Sequence, residues 1–164
     1  ALNTWISANG YSQEVFQEAL ARSIAAAWMR DQIIAGAPKS AEQVHARQIL
    51  LFSFDEANQV LEKLQSGSNF ENLALEYDPV TAGDLGWFPK GYLLDLQIEQ
   101  AVFDLQPGQF SAVIQTAAGY HILQVIERDP ARPLDPDALR VLQIQAVKDW
   151  LEQQRSQSNI EVLV

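Results

Sequence analysis

Between Gly83 and Gln124 the chain sets four demanding local patterns in close order: Gly83-Asp84-Leu85-Gly86-Trp87-Phe88, Ala101-Val102-Phe103, Pro107-Gly108-Gln109 and Thr116-Ala117-Ala118-Gly119-Tyr120-His121-Ile122. Each alone is common. Gly-Asp-Leu-Gly by itself is only a tight turn, in which glycine takes up backbone conformations that a Cβ forbids. In series they leave few folds open. A turn feeds a short strand, a helical piece runs from about Asp95 to Phe103, and two strand-like runs follow, Phe110 to Gln115 and Tyr120 to Glu127.

The residues ahead of this stretch read as strand, helix, helix. Val44 to Phe52 ends in the apolar run Ile49-Leu50-Leu51-Phe52, as expected of a central strand buried on both faces. Ser53 and Glu56 have capping-box spacing, and Ala57, Val60, Leu61 and Leu64 give the helix that follows an apolar face before Gly67 stops it. Ser68 and Glu71 repeat the device for a shorter helix carrying Phe70, Leu73, Ala74 and Tyr77.

Both flanks are helical. Asn9-Gly10 is a turn signal, and Phe16, Leu20, Ile24 and Trp28 then lay an apolar stripe along a helix predicted over Ser12 to Ala35, ended by Gly36 and Pro38. Arg128-Asp129-Pro130-Ala131-Arg132-Pro133 reads as a linker, because proline blocks both helix and sheet pairing. Asp135 caps a further helix with Pro136 at its first position and a second stripe at Leu139, Leu142, Ala146 and Trp150. Asn159 to Val164 is short and β-prone. Each stripe needs a partner, so residues 1–43 and 129–164 are expected to share one helical lobe with Trp28 and Trp150 in its core, and residues 44–128 to form the domain between them.

Composition narrows the function. In 164 residues a net charge of −10, with only 11 Lys and Arg scattered along the chain, argues against nucleic acid as a partner. The absence of cysteine removes disulfides, thiolate zinc sites and cysteine nucleophiles, and two histidines alone do not make a usual metal site. No run is long enough to span a membrane. The first residues resemble neither a signal peptide nor an initiator start, so the chain reads as a fragment of something longer.

From Val44 to Arg128 the motifs resemble those of the parvulin-type peptidyl-prolyl isomerases: a Gly-Asp-Leu-Gly-aromatic-Phe turn, a helix ending in Ala-x-Phe, a Pro-Gly turn and a Thr-x-x-Gly-Tyr-His-Ile strand. The resemblance implies an α+β domain with one four-stranded sheet. The flanking helices are similar to the split lobe of the PrsA/SurA-like exported foldases, in which the isomerase domain interrupts a helical chaperone domain.

That resemblance also implies a site. His121 takes the place of a histidine facing the active cleft in a polar network with Thr116. Aligning Ile49-Leu50 with the family's first strand puts Gln48 where a second histidine is usual, whereas strand alternation turns His45 to the opposite face. Asp78 is the one acidic candidate for a group facing the substrate carbonyl, and it reads equally as an Asp-Pro turn former. Phe88, Leu93 or Leu94, and Ile98 match the apolar wall that grips a prolyl ring, and each reads also as ordinary core. Phe52 to Glu56 is acidic where phosphate-specific members are basic, which implies unphosphorylated substrates.

The expected function is a cofactor-free peptidyl-prolyl isomerase and foldase acting on unfolded, proline-containing polypeptides. It is expected outside the cytoplasm, in the cell envelope or secreted, and held at a membrane only by an anchor beyond these residues. The alternative is a non-catalytic chaperone, or peptide-binding module, on the same fold.

Overall fold

The structure is a computed structural model describing residues 2–158. Their elements in order are α1 (Leu2–Ala8), α2 (Gln13–Ala35), β1 (Ser40–Leu51), α3 (Phe54–Gln65), α4 (Phe70–Tyr77), β2 (Asp84–Pro89), α5 (Leu96–Asp104), β3 (Ile114–Thr116), β4 (Gly119–Pro133) and α6 (Pro136–Gln157). The tail from Asn159 onward, read above as β-prone, lies outside the described residues.

Two compact units emerge, Pro38–Leu142 and a second that joins Ala1–Ala37 to Gln143–Val164. The first is an α+β domain on a four-stranded antiparallel sheet in the order β2-β1-β4-β3. Its two faces carry separate cores. On one, Ile49, Leu51 and Ile122 meet Ala57, Val60 and Leu64 of α3 and Phe70, Leu73 and Ala74 of α4. On the other, Val44, Ala46, Leu123 and Val125 meet Phe88 of β2 and Ile98 and Val102 of α5. Alternation along β1 and β4 feeds both cores from the same two strands, and each fully buried Leu, Ile or Val there contributes roughly 1.5–3 kcal/mol.

The helix termini follow from local chemistry. Ser53 accepts the Glu56 N–H at 3.5 Å and opens α3. The cap of α4 is Asn69, accepting the Asn72 N–H at 3.0 Å, and not Ser68 as the spacing predicts. Ser68 is already used in closing α3, where its N–H reaches back 3.0 Å to the Lys63 carbonyl beside left-handed Gly67.

The expected linker at 128–133 is strand. β4 runs on to Pro133 and pairs with β1 as Gln43↔Asp129, Ala41↔Arg132 and Ser40↔Pro133. Its two prolines are tolerated because β3 is long past, leaving that side of β4 an edge, and because the register slips between Ala41 and Gln43, where Pro130 falls. The domain therefore extends to Pro38 and Leu142, wider than 44–128.

In the other unit, α2 matches its expected span, with Ser12 as N-cap. Sequence periodicity missed α1, which buries Ile6 and brings Trp5 edge-on to Phe16 with ring centroids 6.1 Å apart. The stripe on α2 stays largely uncovered: Leu20, Ile24 and Trp28 are 48%, 61% and 60% exposed. At 60% exposed, Trp28 is thus not in a core shared with Trp150, and α2 packs against α1.

Candidate active site

On the α5 side of the sheet, three adjacent strands place one polar side chain each in a row. Gln48 stands on β1, His121 on β4 and Thr116 at the end of β3. His121, 6% exposed, lies 2.9 Å through Nδ1 from Gln48 Oε1 and 2.9 Å through Nε2 from Thr116 Oγ1. The amide oxygen only accepts, so Nδ1 carries the proton and donates; in the neutral ring, which the burial of His121 favours, Nε2 then accepts from the Thr116 hydroxyl. Thr116 Oγ1 in turn accepts the Ala118 N–H at 3.0 Å. The row is a one-way relay in which the imidazole is neutral, and it leaves Gln48 Nε2, a double donor, without a partner among the described residues.

Burial lowers the His121 pKa from its usual 6.5, against a smaller opposing pull from Asp95. A histidine with a depressed folded pKa contributes its stability above 6.5, and that contribution fades as pH falls towards the folded value. Urea unfolding of the protein should therefore show stability dropping as pH falls below about 6.5, and His121→Gln should flatten that part of the profile. An unchanged slope in the variant would place the acid sensitivity elsewhere.

The Thr116 end of the row opens on a groove of about 520 Å³ between the N-terminus of α5 and β3, lined by Leu94, Asp95, Leu96, Gln97, Gln115 and Ala117 as well as Thr116. Leu94 and Leu96 stand out of the fold, 103% and 73% exposed. Asp95 caps α5, accepting the Gln97 and Ile98 N–H groups at 2.9 and 3.2 Å. The loop ahead of it is held by Glu99, a carboxylate only 4% exposed whose two oxygens accept the Gly91 N–H at 2.9 Å and the Leu93 N–H at 3.1 Å.

The apolar candidates separate. Phe88 is fully buried, stacked on Tyr92 and edge-on to Phe103, so it belongs to the core and not to a pocket wall. Ile98, 6% exposed, is likewise core, and Leu93 is half-buried against it. Leu94 alone of the four is fully exposed. Sequence reasoning missed Asp95, Leu96 and Glu99. The signals were present: Asp95 stands three residues ahead of Ile98 as an N-cap does, and Glu99 is a charge set directly beside the buried Ile98.

Asp78 is committed to its own turn. Its carboxylate accepts the Val80 and Thr81 N–H groups at 3.1 Å, the Thr81 hydroxyl, and the Gly83 N–H at 3.3 Å. These bonds, the Thr81 hydroxyl foremost, hold its pKa below the usual carboxylate value. His45 is on the other face, bonded to Asp84 at 2.8 Å and stacked on Trp87 at 5.5 Å. Among the described residues no group of His, Asp or Glu could hold a metal ion, and no helix is long and apolar enough to cross a membrane.

A four-stranded antiparallel sheet with α3 and α4 on one face, α5 on the other, and a Gln–His–Thr row beside α5 defines a domain of the parvulin class. Residues 52–127 match the family model of the PPIC-type PPIase domain, the rotamases, and the chain carries a domain of that family. It is similar to the foldase PrsA of Geobacillus sp. (strain WCH70), with 31% identity over 74% of this chain and 45% of that protein. The chaperone SurA of Nitrosospira multiformis is 33% identical over 73% of this chain and 32% of its own length. The chain thus spans less than half of either relative. The crystal structure of PrsA from Bacillus cereus has the same fold, with a TM-score of 0.65 at 23% identity over 99% of this chain and 70% of that one.

Proposed function

We propose that the chain is a working peptidyl-prolyl cis-trans isomerase and foldase for unfolded, unphosphorylated polypeptides outside the cytoplasm. The observation that carries the reading is the Gln48–His121–Thr116 row at the head of an open groove with exposed leucines. Rotation about an X-Pro bond faces about 18–20 kcal/mol of amide resonance, and a catalyst lowers it by favouring the twisted amide over both planar forms. No cofactor is required. Leu94 and Leu96 take the prolyl ring out of water, and the free Nε2 of Gln48, oriented by His121, supplies a weak donor for the carbonyl as conjugation is lost. Neutral His121 acts here as an orienting group and not as an acid. The uncovered stripe of α2 suits weak binding of apolar client segments. Attachment to a membrane, through a segment other than these helices, goes with this reading.

The acidic segment around Asp55 and Glu56, the first turn of α3, disfavours phosphorylated substrates. Gln48→His restores a second imidazole in hydrogen-bond reach of His121 and is expected to raise kcat/KM several-fold in a protease-coupled assay on a proline tetrapeptide. If wild type gives no acceleration at high enzyme concentration and Gln48→His is equally inert, the domain is a binding module and not an enzyme.

A further inference from the structure

A second cavity of the domain lies on the far side of Gln48, at an edge that the sheet leaves open. β2 pairs with β1 only as far as Arg47↔Asp84, and the last bond on that side is from the Gln48 N–H to the Gly83 carbonyl, 2.8 Å. Backbone groups alternate along a strand, so Ile49 and Leu51 turn theirs to β4, where they face Ile122 and Tyr120. Leu50 turns its N–H and C=O the other way, where the chain has already left for the Asp78 turn, and neither group has a partner among the described residues. A cavity of about 250 Å³ opens at that point, bordered by Gln48, Leu50 and Phe52 on the strand side and by Tyr77, Asp78 and Gly83 opposite. Phe52, 82% exposed, stands at its mouth.

We infer that this edge is a subsite for the backbone of an extended polypeptide, which adds to β1 by exchanging hydrogen bonds with Leu50. An unpaired donor and acceptor on one residue are complemented by one residue of a strand, and a flat apolar ligand or an ion uses at most one of them. The occupant's side chains meet the Asp78 carboxylate and the acidic first turn of α3, so the segment that fits is neutral or basic. Gln48 borders this cavity and ends the His121 row, so a peptide seated on Leu50 lies directly beside that row. The inference rests on the isomerase reading, since it assigns the stretch flanking the proline.

The test uses the 15N-labelled protein and the peptide acetyl-Ala-Ala-Lys-Pro-Phe-amide, with analogues N-methylated at one amide at a time. Saturating peptide should slow hydrogen exchange at the Leu50 amide about tenfold or more, and one N-methyl position should weaken Kd about three- to tenfold, as loss of a single hydrogen bond does. Replacing the peptide lysine by glutamate should also weaken binding. Unchanged exchange at Leu50 while His121 resonances shift would overturn the edge subsite and leave the isomerase reading standing. Protection of Leu50 without any acceleration of isomerisation would keep the subsite and remove the enzyme. No binding at millimolar peptide would overturn the subsite.

Discussion

Gly83→Ala should cost the domain at least about 3 kcal/mol, far more than the same change at Gly108, which should cost about 1–2 kcal/mol. Both glycines have positive φ, +69° and +86°, so each replacement carries the strain of a left-handed residue. They differ in what a Cβ would meet. At Gly108 nothing lies within 4 Å, whereas at Gly83 the carbonyl oxygen of Gln48 stands 1.8 Å from the ideal position. That carbonyl belongs to a strand paired on its other side with β4, and moving it displaces the residue whose side chain ends the His121 row. Urea titration of the two variants gives the comparison directly. Equal midpoints would mean that the Asp78 turn swings away freely and does not define the end of β2.

His121→Ala is expected to lower kcat/KM by roughly 10- to 100-fold, the scale of one positioned polar group, and to cost about 1–3 kcal/mol of stability. The stability term arises because the variant leaves the Gln48 amide oxygen and the Thr116 hydroxyl without their common partner. The catalytic term arises because Gln48 is then free to rotate. Thr116→Val keeps the Gln48 bond and should lose less of both. Steady-state kinetics beside thermal unfolding separates the effects. A folded His121→Ala protein with kcat/KM within twofold of wild type would reduce the row to a fastening between strands. Ile98→Ala is a poorer probe, because Ile98 lies in the α5-side core and its truncation would act through a cavity.

Much of this is legible in the sequence, for local reasons. The Ser53 cap, the apolar faces of α3 and α4, and the turn at Gly83 are encoded within a few residues, and so were found. An alignment on Ile49-Leu50 puts Gln48 at the first-strand site position and strand alternation turns His45 to the other face; in the structure Gln48 Oε1 lies 2.9 Å from His121 Nδ1, diagonally across the ladder, where His121 pairs with Leu50. What escaped depends on neighbours distant in sequence. Proline at 130 forbids pairing only where a donor is demanded, and at a bulge on an edge none is. Whether Phe88 lines a pocket or fills a core was decided by Tyr92 and Phe103 closing over it. The partner of the α2 stripe could not be named from periodicity, which reports an apolar face but not what meets it.

The long pairing of β1 with β4 also governs how the domain answers a pull. The chain arrives at Lys39 and departs at Leu134 side by side, joined by a bond of 2.9 Å from the Leu134 N–H to the Lys39 carbonyl, with Ser40 paired to Pro133 just above. Tension drawn along the segments that flank the domain therefore loads this ladder at its open end, and the rungs open in succession like a zip, never sharing the force as they do in shear. The first rungs to go lie in the Lys39–Gln43 and Asp129–Leu134 stretches, away from the Gln48–His121 row. A modest pull can thus be absorbed as slack from the stem before it reaches Gln48 and His121, giving the domain a mechanical fuse.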